Sequence, residues 1–573
     1  MPSTPSPRPA EQPQATLTRP ASPSHQTTPS HQTTSRRPAL ATAAAATAAA
    51  LLLAGCASSG TAAPGTSAGG GEPQSGGTLR FGLGYDPTCL DPQQAGGNDS
   101  LNIGRQLVDS LTDQDPETGE IVPWLATSWE VSPDAKTFTF TLRDDATFAD
   151  GTPVDAAAVQ ANLDGIAALG AQATLGSSYL DGYAQTVVVD PQTARVEFSE
   201  PSAQFLQATS TMTLGLFSVA STTLSVEDRC AGEFVGSGPF TLTDWQPAQS
   251  ATLERRDGYA WPSSIAGHEG EAYLDSIEYS VVAEPSVRTG SLQSGQLDAF
   301  MNVLPTDEEP LKATGQTVSA RTNPGISFAL LPNTDRPVGG DEEVRLAISE
   351  AIDRQEVVDT VLTPSYKAAT SPLSSSNPGY TDLGDLLTFD LDAAKARLDA
   401  EGWEPGDDGI RTKDGQRLQA DVVYLTNFAA SEQILQLVQQ QLVKAGVDLQ
   451  LRQVTMAEYP EVQKVGDYDF SWTNLTRADG DVLRTVYGAS GRNLARLAPD
   501  DAVNTPLDAQ AAEADADARL ALLADAQTQL LERALSIPVM EFSTVIATAP
   551  TVHDLRFEAS SRLSFYDTWI EAP

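Results

Sequence analysis

Histidine and cysteine are nearly absent from this 573-residue chain, which holds four of the first and three of the second. His25 and His31 fall in a leader rich in Pro, Ser, Thr and Gln, and His268 and His553 stand far apart. No His/Cys cluster therefore has the spacing of a metal site, and nothing marks the partnered histidine that a nucleophilic triad needs. No catalytic residue, metal or cofactor is expected, and an enzyme is not the favoured reading. Basic residues are scarce too: 35 Lys and Arg against 76 Asp and Glu leave a formal charge of −41. Such a polyanion repels nucleic acid and anionic headgroups, which removes both as partners and otherwise makes a well-solvated surface. No apolar run reaches the roughly 20 residues of a membrane-spanning helix. No segment repeats at the period of a solenoid.

What is present begins with an address. Residues 1–35 hold almost no large apolar side chains and are expected to be disordered. Arg36-Arg37 then precede an Ala/Leu-rich run from Ala39 to Leu53, and Leu53-Ala54-Gly55-Cys56 closes it. This is the layout of a signal peptide, and its ending resembles a bacterial lipobox. Cys56 is the expected mature N-terminus, carrying lipid and anchoring the chain to the extracytoplasmic face of the cell membrane. Ser35-Arg36-Arg37 also resembles a twin-arginine signal. Residues 56–76 follow as a Ser/Thr/Gly/Pro-rich tether with an end-to-end distance of roughly 25 Å. In an exported chain the two remaining cysteines, Cys89 and Cys230, are expected to form a disulfide.

The chain is too long for one core, so two or more domains are expected. Between Pro123 and Val154 it reads PWLATSWEVSPDAKTFTFTLRDDATFADGTPV. Phe138, Phe140 and Leu142 alternate with Thr139, Thr141 and Arg143, the period of a half-buried strand after an acidic turn. Asp155 is a good N-cap for a helix over 156–168. Residues 187–190 and 194–198 form a second hairpin about Pro191-Gln192, and strands are expected at 77–83, 279–282, 298–302, 447–451 and 545–549. Helices are expected at 101–112, 287–294, 344–352, 390–402, 431–445 and 515–535, with Asp353 capping one more and Gly446 stopping the helix before it. Alternating strands and helices indicate α/β architecture with substantial parallel sheet.

Three stretches carry a resemblance. Pro123–Val154 resembles the signature of the family 5 (peptide/nickel/opine type) solute-binding proteins of bacterial ABC importers. Val235-Gly236-Ser237-Gly238-Pro239-Phe240, running on to Tyr259 and Trp261, is similar to a second family landmark. Val344–Arg354 is similar to a third. In the second, the glycines and proline suit a tight turn into a strand. No Lys-Ser/Thr follows for a phosphate cradle, and no Gly-x-Ser-x-Gly surrounds Ser237. The resemblance implies a two-lobed periplasmic-binding-protein-like fold with an additional α+β domain inserted in the first lobe. On that basis domain I is 77–113, 234–327 and 540–573, domain II is 114–233, and domain III, the second lobe, is 328–539.

The family also implies a ligand loop within Tyr468–Arg492 (YDFSWTNLTRADGDVLRTVYGASGR). Peptide-binding members commonly place there an aspartate for the ligand's α-amino group. Thr476 or Arg477 stands at that place here, with Asp479 and Asp481 shortly after. Arg477 is suited to a ligand carboxylate and Asp479 to an amine; alternatively the two pair with each other on an exposed loop. Trp472 is either cleft wall or core. Trp472, Arg477, Asp479 and Asp481 are thus the candidate ligand residues. The implied function is a monomeric receptor that captures a small, peptide-like solute and passes it to ABC permease subunits. The alternatives are a surface sensor or adhesin on the same fold, or import of a chelated metal or another small solute.

Overall fold

Two mixed β-sheets and one small antiparallel sheet organise the computed structural model, which describes residues 71–173 and 175–572. Cys56 and the expected signal segment lie outside the described residues. Residues 71–76, read as the end of the tether, form no helix or strand, and Gly76 N donates to Tyr273 O at 2.7 Å.

The first sheet has seven strands, in the order Thr317–Thr322, Ser543–Thr548, Ala299–Met301, Thr78–Leu83, Ser276–Val281, Ser250–Arg255 and Phe240–Gln246. Its parallel pairings are those of Thr78–Leu83 with Ser276–Val281 and with Ala299–Met301; the other pairings are antiparallel. The helix expected over 101–112 runs instead from Asn98 to Leu107, and Val108 is extended. The Leu107 carbonyl is taken by Gly238 N at 3.0 Å, which ends the helix against the Val235–Phe240 stretch. Gly236 and Gly238 serve that approach and not a left-handed turn: a Cβ on Gly236 would lie 1.9 Å from Leu107 O.

The small sheet joins Ala126–Val131, Thr137–Leu142, Thr193–Phe198 and Tyr183–Asp190, all antiparallel. Phe138 and Phe140 point inward as their alternation predicts, and Phe138 meets Phe205 edge-on at 5.0 Å. Ala156–Leu169 covers the sheet, its first turn capped by Asp155, which accepts from Ala158 N.

The second large sheet has six strands, in the order Lys367–Ala368, Ile537–Glu541, Gly325–Pro332, Phe470–Thr476, Gln419–Tyr424 and Asp448–Gln453. Here too the parallel part is limited to Gln419–Tyr424 and its two neighbours. The parallel content is smaller than the sequence suggested because the chain re-enters both large sheets in antiparallel sense. Ser431–Ala445 forms as its spacing predicts, and Gly446 ends it at φ 92°. Asp353, Asp390 and Asp515 each accept from a backbone N–H in the first turn of the helix they precede.

The chain passes between the two large sheets at residues 323–324 and again at Phe542. One side chain ties these crossings together. Asn323 Oδ1 accepts from both Thr544 N and Thr544 Oγ1 at 2.8 Å, while Asn323 N donates to Phe542 O. Two lobes, each built on its own sheet, thus hang on a paired connection.

Candidate functional site

The strand Phe470–Thr476 delivers the loop 477–481 to the seam between the second lobe and the small antiparallel unit. Gly325 makes that delivery possible. It sits at φ 119°, where a Cβ would fall 2.1 Å from Leu475 O, and the adjacent Pro324 carbonyl accepts from Arg477 N at 2.9 Å.

Arg477 is 3 % exposed, and its guanidinium crosses the seam. It donates to Ser178 Oγ at 2.7 Å and to Gln204 Oε1 at 3.4 Å on the small unit, and to Thr485 Oγ1 at 3.0 Å on its own lobe. Its Cζ lies 4.7 Å from the Tyr179 ring centroid, in cation–π range. Nearby, Ala203 N on the small unit donates to Ala511 O on the second lobe at 2.9 Å. The lobes are therefore closed on one another.

Asp479 does not pair with Arg477, and the loop is buried, not exposed. Both Asp479 oxygens are held by Arg519, at 2.6 and 2.8 Å. Burial works against this carboxylate, but Arg519 outweighs it and holds the group below the usual carboxylate range. Asp481 is wholly buried and accepts from Arg484 Nε at 2.7 Å and Gln510 Nε2 at 2.5 Å. Both carboxylates are thus occupied by the protein's own cations and amides.

Trp472 belongs to the core of the second lobe and does not face the cleft. It is 2 % exposed, stacks on Phe328 at 5.1 Å, and its indole N–H donates to Ser431 Oγ at 3.2 Å. Inward strand positions facing the lobe's helices take large apolar side chains, and Trp472 occupies one of them.

What the loop does present is Ala478 and Gly480. With Ile121, Val131, Leu206 and Leu523 they line a cleft of ≈ 480 Å³ along the seam, with the Asp479–Arg519 pair on its polar wall. A neighbouring opening of ≈ 300 Å³ shares Ala478 and is bordered by Gln114, Arg321 and Asn377. Its walls come from the small unit, the second lobe and the first sheet, an arrangement suited to a solute with apolar and hydrogen-bonding parts.

The remaining histidines and Ser237, for which the sequence offered no chemical role, have structural partners. His268 Nδ1 lies 2.9 Å from Asp567 Oδ1, and His553 stacks on Trp569 at 4.1 Å. Among the described residues, no three His, Cys, Asp or Glu gather as a metal site. Ser237 Oγ accepts from Asp109 N and donates to Leu216 O. Cys89 and Cys230 are joined by a disulfide. The sequence did not single out Asp109, which is wholly buried and accepts from Tyr259 OH and Trp261 Nε1. Nor did it indicate Ser178, Tyr179 and Gln204, the residues that receive Arg477.

Comparison with known proteins agrees with this geometry. The profile described as bacterial extracellular solute-binding proteins, family 5 Middle, matches residues 120–493. The dipeptide-binding protein DppE of Bacillus subtilis is 26% identical over 493 residues, covering 80% of this chain and 86% of the relative. The probable D,D-dipeptide-binding periplasmic protein DdpA of Escherichia coli is 26% identical over 409 residues, 69% and 74% of the two chains. Among solved structures, NikA from Brucella suis in complex with Fe(III)-EDTA superposes with a TM-score of 0.76 at 24% identity, covering 86% of this chain and all (100%) of the other. DppA from Helicobacter pylori in complex with the peptide STSA gives 0.68 at 20% identity, covering 87% and 99%. The chain belongs to the bacterial extracellular solute-binding proteins, family 5.

Proposed function

We propose that this chain is the extracytoplasmic receptor of an ABC importer, closing its two lobes on a peptide-like solute and delivering it to permease subunits. The observation that carries this reading is the seam itself. Two lobes joined by paired crossings at 323–324 and Phe542 enclose a cleft of ≈ 480 Å³, and Arg477 bridges its banks. In a hinged receptor, a ligand that touches both lobes stabilises the closed arrangement over the open one. The relatives named for dipeptide binding and the peptide-bound structural neighbour favour a peptide as the solute.

The proposal includes a monomeric receptor held at the membrane by lipid on Cys56. It keeps the division expected from the sequence, domain I (77–113, 234–327 and 540–573), domain II (114–233) and domain III (328–539), with the lobe edges moved to the crossings at 323–324 and 542, because Gly325–Pro332 and Ile537–Glu541 belong to the second large sheet. Native mass spectrometry of the protein, purified without refolding, tests it. A small molecule of peptide-like composition should co-purify; a chain that carries no solute, and takes up none from a peptide mixture, contradicts the reading.

A further inference from the structure

Two glutamines in the wall of the ≈ 480 Å³ seam cleft, Gln114 and Gln207, are linked through their side-chain amides. Gln114 Nε2 donates to Gly119 O at 3.1 Å, and Gln207 Nε2 donates to Gln114 Oε1 at 3.0 Å. Their neighbours fix which end of each amide is which. Gly119 O can only accept, so Gln114 turns its NH2 toward it and its oxygen toward Gln207. Ser210 Oγ gives its proton to the Gln207 backbone carbonyl at 2.7 Å, so it too can only accept from Gln207 Nε2, at 3.4 Å. Gln207 Oε1 is therefore an acceptor. It has no donor among the described residues, although Gln207 is only 6 % exposed. Burying an acceptor without a donor costs free energy that a donor would recover.

The uncompensated charges on the same wall have one sign. Arg519 is the one Lys or Arg among the described residues that line the cleft, and its two Nη groups are held by Asp479 at 2.6 and 2.8 Å. Glu120 and Glu513 line it as well, and neither has an ion pair among the described residues. The Glu120 side chain is exposed, and Glu513 accepts only from Asp515 N, at 2.8 Å. In the adjoining opening Arg321 donates to Pro116 O and faces Glu117 at 3.5 Å. Acidic walls are expected in a chain with 76 Asp and Glu. A wall that adds a buried acceptor without a donor, and offers no uncommitted cation, selects for a positive, hydrogen-donating group. The remaining surface is apolar, from Leu206 and Leu523 to Leu520, which is 43 % exposed.

Resting on the receptor reading above, we propose that the solute enters this cleft with a protonated nitrogen that donates to Gln207 Oε1 in the field of Glu120 and Glu513, while an apolar portion lies on Leu206, Leu520 and Leu523. No side chain of the cleft is free to take a carboxylate, so a negative end of the solute gains nothing there. A peptide held by an amino group and a non-peptide alkyl or aralkyl amine both offer this chemistry.

The test uses the whole mature chain, native mass spectrometry and three probe pools at equal concentration. The pools are di- to tetrapeptides of apolar residues with a free amine and a C-terminal amide, the same peptides N-acetylated with a free carboxylate, and alkyl and aralkyl amines of similar size. Wild type should retain members of one or both cationic pools and none of the acetylated peptides, and which cationic pool is retained distinguishes peptide from non-peptide solutes. Gln207→Met should reduce that retention by about tenfold or more, the effect of losing a hydrogen bond to a charged group. Glu120→Gln, at an exposed side chain, should melt with wild type and reduce it by about two- to fivefold. Retention of the acetylated peptides at the level of the amines overturns the inference and leaves the receptor reading standing. So does unchanged retention by Gln207→Met or, should that variant melt early, by Glu120→Gln. Retention of nothing from any pool contradicts the receptor reading itself.

Discussion

Arg477 Nη2 donates to Ser178 Oγ at 2.7 Å, joining two residues 299 positions apart across the seam between the lobes. With Gln204 and the Tyr179 ring, this makes Arg477 a strap on the closed arrangement. Arg477→Ala should cost the closed form about 1.5–3 kcal/mol, the range for hydrogen bonds to a charged group. Amide exchange at the 176–206 segment should accelerate in the variant, with the core strand Gly325–Pro332 unchanged; uniform exchange in both would argue against a strap.

Asp479 and Arg519 form the other buried pair at the seam. Removing one partner of such a pair strands the other, at roughly 3–5 kcal/mol. Asp479→Asn should lower stability in denaturant by that order, and adding Arg519→Met should recover much of the loss. Additive losses in the double variant would show that the two groups are not coupled.

How much of this was legible in the sequence depended on distance along the chain. Phe138, Phe140 and Asp155 announced their strand and cap because the signal repeats over two to four residues, and Ser431–Ala445 with Gly446 was legible for the same reason. Trp472 was ambiguous because an inward strand position reads alike whether it faces a core or a cleft; the stack on Phe328 decides it. Arg477 and Asp479 were read as ligand residues or as a pair on an exposed loop, whereas their partners in the structure include Gln204, 273 positions away, and Arg519, 40 positions away. Nothing local in the sequence encodes such pairings. The same holds for Asn323, whose partner Thr544 is brought to it only by the second crossing.

Asp109 makes stability depend on pH. Burial pushes its carboxyl up to about 7, against the pull of Arg105 and the Trp261 and Tyr259 donors. A carboxyl raised in the folded state holds its proton there while the unfolded chain has lost it. Its stabilising contribution is therefore full below about pH 4 and lost as pH rises through about 7. Asp99, raised by burial to about 6, acts in the same sense. Asp109→Asn should narrow the difference in melting temperature between pH 5 and pH 8; an unchanged difference would show that Asp109 does not titrate in this range.

The Cys89–Cys230 bond closes a separation of 141 residues and ties the stretch after the first strand to the end of the small α+β unit. Removing that loop constraint should destabilise by roughly 4–5 kcal/mol in the chain-entropy treatment. The double Cys→Ala variant should melt well below wild type, and reductant should lower only the wild-type transition. A reductant-insensitive wild type would mean that the bond is not formed in solution.

The lobes' closure on a bound solute is tested most directly by small-angle X-ray scattering of the mature chain, stripped of its co-purified molecule and then given it back. The radius of gyration should fall on return of the molecule, and fall less when Arg477 is alanine. An identical scattering curve with and without the molecule would contradict the account.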